Sequence, residues 1–262
     1  MVVPGSEAML AFAGETLQEA GKLALKYFRM PVVVDNKAGN ARYDPVTAAD
    51  REIEEYIRQA IHREYPGHTV TGEEAGTEAG NSAFCWYIDP IDGTRAFISG
   101  NPLWGIMTGL MEQNHCMFGL IHQPFLQETF IGSSAGTYLV NGNTRQQIHT
   151  AKTRSLEDAI LYSTHPSIFS TGEEFDFFNR VAGKCRMMRY GGDCYSYCLL
   201  AHGFIDLIIE ADLQDHDIVP LVPIIEAAGG IITDWQGNNP LSGDRIIASA
   251  NKRLHDTVLG MF

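Results

Sequence analysis

No stretch of this 262-residue chain approaches the roughly 20 consecutive apolar residues of a membrane span. Basic charge is also short: 19 Lys and Arg stand against 32 Asp and Glu, a formal net charge of -13. That balance excludes nucleic acid and anionic membrane as partners, because both demand clustered Lys and Arg. Cysteine is sparse and unmatched. Its five residues, Cys85, Cys116, Cys185, Cys194 and Cys198, are odd in number and scattered through apolar segments. Cys194 and Cys198 sit one helical turn apart, but no His or Cys pair at zinc spacing accompanies them. They read as buried thiols of a reducing compartment. A basic n-region is lacking, and Glu7 and Glu15 interrupt the apolar positions near the start, so a cytoplasmic location is expected. Repeats, low-complexity tracts and long acidic runs are missing too. What remains is an ordinary globular composition, 45% hydrophobic, in a chain long enough for one large domain or two lobes sharing an interface.

Periodicity divides the chain in two. Residues Ser6 to Met30 predict an amphipathic helix, with Leu10, Leu17, Ala20, Ala24 and Tyr27 along one face and Pro31 ending it. A second helix is expected after Asp50, where Ile53, Ile57 and Ile61 recur every four residues until Pro66-Gly67. Short β-type runs follow at Phe84 to Ile88, Leu103 to Met111, Met117 to His122 and Gln127 to Ile131. They predict a largely antiparallel sheet covered by the first two helices. From about Ala151 strands and helices alternate, ending in a helix over Lys252 to Met261, as in an α/β lobe. The expected division is residues 1–145 as an α+β lobe and 146–262 as an α/β lobe, with the Gly-rich stretch near 132–143 as the boundary. Pro220 and Pro223 are awkward inside the helix predicted from Asp217 to Ala228, which is therefore expected to begin irregularly.

The acidic residues that stand out lie where the chain turns. Gly72-Glu73-Glu74 forms a Gly-bounded loop. Asp89 and Asp92 follow the strand Phe84 to Ile88, and Asp217 opens a helix. Mg²⁺ takes oxygen ligands and only a few carboxylates, with water and substrate phosphate completing its shell. Two carboxylates separated by Pro-Ile can straddle two ions while an intervening carbonyl adds a ligand, an arrangement suited to in-line phosphoryl displacement. An acidic chain also needs cations if its substrate is a phosphate ester. Gly93-Thr94-Arg95-Ala96-Phe97 reads as the first turn of a helix, whose free N–H groups suit a phosphate. Thr94 is placed to orient a water, with Asp50 as a further carboxylate. The plainer alternative makes Asp89-Pro90 a strand-end turn and Asp92 a helix N-cap. It leaves Glu73 and Asp217 unexplained.

These residues, with Trp86-Tyr87-Ile88-Asp89-Pro90-Ile91-Asp92-Gly93-Thr94 and Glu226-Ala227-Ala228-Gly229-Gly230, resemble the inositol monophosphatase family from Thr47 to Ile231. The resemblance implies a layered α/β/α/β/α sandwich, Mg²⁺ dependence with two or three ions per site, lithium sensitivity in many members and a homodimer. By motif position it implies that Glu73, Asp89 and the Ile91 carbonyl hold one Mg²⁺, and Asp89, Asp92 and Asp217 a second. It further implies that Thr94, with Glu73 or Asp50, activates the water, and that Gly93 and Thr94 bind phosphate. Lys37 falls near a lysine of the family's metal loop, although the spacing there differs.

Within the family the chain departs from inositol-specific members at Arg95-Ala96-Phe97-Ile98-Ser99-Gly100, at Arg189-Tyr190-Gly191-Gly192-Asp193-Cys194-Tyr195, and at Asp212-Leu213-Gln214-Asp215-His216-Asp217. These variants, with Asn101-Pro102-Leu103-Trp104-Gly105, are similar to its histidinol-phosphate phosphatase branch. Histidinol carries an ammonium and an imidazole, so carboxylates suit its pocket. Besides Gly93 and Thr94, the expected substrate contacts are Asp92, Gly191, Gly192, Asp193, Glu210 and Asp217. Asp193 reads alternatively as the cap of the following helix, and Asp212 and Asp215 as solvated loop charges. His216 reads as structural, because Mg²⁺ has little affinity for imidazole, and His122 and His165 as strand-end polar residues. The competing functions are a broad inositol or sugar phosphatase and a catalytically silent Mg²⁺-binding protein.

Overall fold

The structure, a computed structural model, describes residues 6–31, 34–36, 45–242 and 244–262. The N-terminal part runs α1 (Ser6–Tyr27), β1 (Val34–Asn36), β2 (Pro45–Thr47), α2 (Ala48–Glu64), β3 (Thr69–Gly72), β4 (Gly76–Glu78), β5 (Phe84–Asp92) and α3 (Thr94–Ile98). It continues through β6 (Gly105–Glu112), β7 (His115–Gln123), β8 (Glu128–Ser133), β9 (Gly136–Asn141) and β10 (Thr144–Gln147). The second part comprises β11 (Ile160–Ser163), α4 (Gly172–Ala182), β12 (Met187–Tyr190), α5 (Asp193–Ala201), β13 (Leu207–Glu210), α6 (Asp215–Ala227), β14 (Ile231–Asp234), β15 (Ile246–Ser249) and α7 (Lys252–Leu259).

Strands β3 to β10 form one eight-stranded sheet in the order β10-β9-β8-β7-β6-β5-β3-β4. Every pairing is antiparallel except β3 with β5. Helices α1 and α2 cover one face, burying Leu17, Ala20, Ile53 and Ile57 against Trp86, Ile88 and Leu120. The second sheet has the order β12-β11-β13-β15-β14, with β12, β11 and β13 parallel. Its strands alternate as the pleat requires: Leu207 and Ile209 pack with Phe177, Phe178, Leu254 and Val258 of α4 and α7. Ile208 instead faces the layer formed by α5 and α6, with Cys198, Ile218 and Ile225. The whole is an α/β/α/β/α sandwich, with α5 and α6 as the filling.

The middle layer sits unusually close to the first sheet because three strand positions are glycine. A Cβ on Gly119 would stand 1.9 Å from the Pro220 carbonyl oxygen, and one on Gly132 2.3 Å from the Ile224 Cα. A Cβ on Gly109 would meet Val219 at 2.8 Å. The Thr137 hydroxyl donates to the Ile224 carbonyl at 2.8 Å, tying the helix to β9.

Three expectations are corrected. Helix α2 starts at Ala48 rather than after Asp50, because Thr47 and Asp50 form a reciprocal capping box. Helix α6 begins at Asp215, and both Pro220 and Pro223 lie inside it. Residues Ile218 to Ile225 are all buried between the two layers, and that packing outweighs the poor helix propensity of proline. The Gly-rich stretch near 132–143, expected as a boundary, is the β8–β9 hairpin and its exit. The first sheet runs on to Gln147, and the second begins only at Ile160.

Candidate active site

The parallel pairing of β3 with β5 sets the site. Gly72 lies opposite Ile88, so both strands deliver their C-terminal ends, Glu73 and Asp89, to the same edge. Glu73 is anchored there by its own N–H, which donates to the Ile88 carbonyl at 3.2 Å. In a regular strand Asp89 and Asp92 would point to opposite faces. Here the register against β6 shifts between them: Asp89 pairs with Met107, but Asp92 pairs with Gly105. Pro90, with no N–H to give the ladder, suits such a bulge. The Asp89 Oδ1 accepts the Ile91 N–H at 3.0 Å and closes a local turn. The bulge turns both carboxylates to one side.

Asp217 reaches the same place from α6, where it sits as the third residue and accepts the Gln214 N–H at 2.7 Å. The carboxylates of Asp89, Asp92 and Asp217 each offer an oxygen, and these atoms lie within 4.8 Å of one another. Burial pushes the Asp89 carboxyl well above its ordinary range, and the charges of Glu73, Asp92, Asp217 and Asp50 push it further. Asp92 is raised to about 7 by burial and the Asp217 charge, against hydrogen bonds from Cys194. Asp217 also reaches about 7, again chiefly through burial, with Glu73 and Glu210 adding to it. Such oxygen-only crowding of like charge fits a hard divalent cation of the Mg²⁺ kind.

Asp50 arrives from the first turn of α2. Its Oδ2 accepts the Thr47 N–H at 2.9 Å and the Thr47 hydroxyl at 2.6 Å. Its Oδ1 lies 3.4 Å from the Thr94 hydroxyl, which also donates to the Ile91 carbonyl at 3.1 Å. Burial raises the Asp50 carboxyl, and the Glu73 charge adds to that rise. Asp92 is the last residue of β5, not a helix cap. The N-cap of α3 is Gly93, in the left-handed region at φ 86° and with no side-chain bond to the helix start.

The second part of the chain supplies the far wall. Gly191, Gly192 and Asp193 have consecutive positive φ values of 85°, 112° and 43°, a tight turn that glycine permits twice and Asp193 adopts under strain. Gly192, not Asp193, is the N-cap of α5, so the capping alternative for Asp193 fails. The Cys194 N–H donates to the Asp92 carboxylate, joining α5 to the end of β5 through a backbone amide. Burial holds the Asp193 carboxyl well above its usual range, with the charges of Asp92 and Glu210 adding to the rise and Arg95 opposing it. Glu210, at the end of β13, accepts the Thr164 N–H and the Tyr197 hydroxyl, each at 2.8 Å, and the Thr164 hydroxyl as well.

Glu73, Asp92, Thr94, Asp193, Glu210 and Asp217 line a cleft of about 580 Å³. His216 also lines it, its Nε2 standing 3.7 Å from Asp217. Asp212 and Asp215 are exposed, and Lys37 lies outside the described residues. His122 does lie at the end of β7, and it is buried there, meets Thr129 at 2.9 Å and is pushed down to about 4 by burial. His165 is exposed and caps a short turn. All five cysteines are free thiols. Residue patterns left Thr164, Tyr197 and the Cys194 amide unread. Their partners lie 46, 13 and 102 residues away, and nothing local marks them.

A cleft with carboxylates from three separate elements at its floor defines a metal-site phosphatase scaffold. The chain belongs to the inositol monophosphatase family, whose sequence profile matches residues 6–262. It is similar to the chloroplastic bifunctional phosphatase IMPL2 of Arabidopsis thaliana, 37% identical over 261 residues covering 95% of this chain and 73% of that protein. It is also similar to a histidinol-phosphatase of Chlorobaculum parvum, 32% identical over 94% of this chain and 93% of that one. Among solved structures, an inositol monophosphatase from Zymomonas mobilis superposes with a TM-score of 0.86 at 34% identity, covering 99% of each chain. Among the described residues no helix is long and apolar enough to cross a membrane.

Proposed function

We propose that this phosphatase hydrolyses L-histidinol phosphate to L-histidinol and phosphate. The observation that carries the reading is Asp193, a half-buried carboxylate on the cleft wall whose neutral form is favoured chiefly by desolvation and further by the charges of Asp92 and Glu210 that crowd it. An ammonium on the leaving group would relieve that crowding and be recognised by it. A polyhydroxyl ring gains little from the same charge. The names of relatives support both the histidinol and the inositol readings, so the pocket is what favours one.

In this reading Glu73, Asp89 and the Ile91 carbonyl hold one Mg²⁺, and Asp89, Asp92 and Asp217 a second. Bound Mg²⁺ supplies positive charge that draws in the phosphate and stabilises the attacking and leaving oxygens. The chain's own groups do the rest. The Thr94 hydroxyl orients the water, and Asp50, held by Thr47, orients Thr94 and draws proton density from it. Glu73 is the other carboxylate within reach of that role. The N–H groups of Gly93 and Thr94, left uncapped, face the phosphate oxygens. Gly191 and Gly192 let the turn carrying Asp193 approach the leaving group, and Glu210 stiffens that wall through Thr164 and Tyr197.

Steady-state kinetics on L-histidinol phosphate, inositol 1-phosphate and fructose 1,6-bisphosphate test the proposal. The highest kcat/KM is expected for histidinol phosphate. A higher value for inositol 1-phosphate would transfer the assignment to the inositol phosphatases, and no Mg²⁺-dependent turnover of any of the three would favour a silent metal-binding protein.

A further inference from the structure

Helix α2 carries a second carboxylate one turn beyond Asp50. Glu54 and Arg58 are 1% and 2% exposed and pair at 2.8 Å. A buried ion pair is weak as a source of stability, since well-packed apolar residues often replace it without loss. Its contacts indicate what else it does. One Glu54 oxygen accepts the Glu74 N–H at 2.7 Å, and the other accepts the Ala75 N–H at 2.9 Å. Arg58 donates to the Val70 carbonyl at 3.3 Å, to Glu78 at 3.3 Å and to the Gly76 carbonyl. The pair therefore grips β3, β4 and the turn between them from beneath. Gly72 makes the grip possible, because a Cβ there would stand 2.5 Å from the Glu54 carboxylate.

Glu73 opens that turn, directly after β3. On one side its N–H is held by Ile88 of β5, and on the other the next two amides are held by Glu54. The turn needs holding, since Glu73 is a carboxylate presented to Asp50 and Asp89, and like charges push it outward. Asp50 and Glu54 are also four residues apart on one helix, so α2 ties the group beside Thr94 and the turn bearing Glu73 into a single rigid piece.

We infer that Glu54 and Arg58 are positioning residues that hold Glu73 at its reach towards Asp89 and so set the affinity of the site for Mg²⁺. The inference rests on the metal assignment proposed above. It is tested by calorimetric titration of the full chain with Mg²⁺, alongside kcat as a function of Mg²⁺. Two variants disturb the clamp differently: Glu54→Gln removes its charge, and Gly72→Ala displaces the same carboxylate with its charge intact. Both are expected to weaken Mg²⁺ binding about 10- to 100-fold, the range for groups that orient metal ligands, while kcat at saturating Mg²⁺ stays within a few-fold. A folded Glu54→Gln chain that binds Mg²⁺ within twofold of the unaltered chain overturns the inference, as does a loss in kcat with unchanged Mg²⁺ dependence. If Glu54→Gln does not fold, the titration of Gly72→Ala decides by the same criterion. If the unaltered chain binds no Mg²⁺, the metal assignment itself falls, and that result is distinct from variants that bind as the parent does.

Discussion

Asp193 and Gly93, one hundred residues apart, are in contact: a Cβ on Gly93 would stand 3.0 Å from the Asp193 Oδ2. The N-cap residue of α3 thus abuts the first residue of α5, which comes from the other half of the chain. Under the proposed function, recognition of the two ends of a phosphate ester is joined at this contact.

Replacing Asp193 separates those two ends. Asp193→Asn keeps the shape and removes the charge, so kcat/KM for histidinol phosphate is expected to fall roughly 30-fold or more, as when one partner of a buried charge pair is lost. Inositol 1-phosphate should change by less than about threefold, by the same comparison of charged and uncharged ligands. Parallel losses on both substrates would remove Asp193 from the leaving-group contact.

Asp217→Asn is expected to move activity and stability in opposite directions. Activity should drop on the order of 10²–10³-fold, the scale for removing one preorganised electrostatic group. The metal-free protein should nevertheless melt higher than the parent, because one charge leaves a crowded cluster. Thermal unfolding in chelator reads the second effect, and a lower Tm for the variant would contradict the crowding.

The pH dependence has a definite sign. Asp92 and Asp217 are raised to about 7 when folded, against roughly 4 for a free aspartate. Below pH 4 both states are protonated and the shift has no effect. Between pH 4 and 7 the unfolded chain loses protons that the folded chain keeps, so stability falls as pH rises through that window. Metal-free protein should therefore show its Tm decline from pH 5 towards 7, and the rise in Tm on adding Mg²⁺ should grow over the same range, because binding requires ionised carboxylates. Scans with and without chelator at several pH values check both trends.

Gly119→Ala tests the close seat of α6. The new Cβ would stand 1.9 Å from a backbone oxygen, which cannot yield as a side chain can. A cost of about 3 kcal/mol is expected, or roughly 6–12 °C in Tm for a chain of this size. Since Asp217 rides on the same helix, Mg²⁺ affinity should weaken as well. An unchanged melting curve would mean that the helix has room to move.

Much of this protein is legible in its residues. The four-residue spacing of Ile53, Ile57 and Ile61, close to one helical turn, marks α2, and the alternation after Ala151 marks the strands and helices of the second sheet. The run Asp89 to Thr94 carries its chemistry in order, because a Pro-Ile bulge, two carboxylates and a Gly-Thr helix start are local features. Glu73 and Asp217 are recognisable as carboxylates at turns. The amphipathic pattern of α2 hides Glu54 and Arg58, since a polar pair on a helix ordinarily reads as a solvent face. Pro220 and Pro223 argue against the helix that contains them, because local propensity cannot register burial between two sheets.

Residue order alone carries the chemical vocabulary: carboxylates at turns, a hydroxyl, a Gly-Thr helix start and a family resemblance. Their company comes from packing. Parallel pairing of β3 and β5 brings Glu73 to Asp89, the glycines of β6 to β8 let α6 deliver Asp217, and the Gly191-Gly192 turn sets Asp193 against Gly93. Each is a contact between residues far apart in the chain, and only the closing of two sheets around one helical layer makes such contacts.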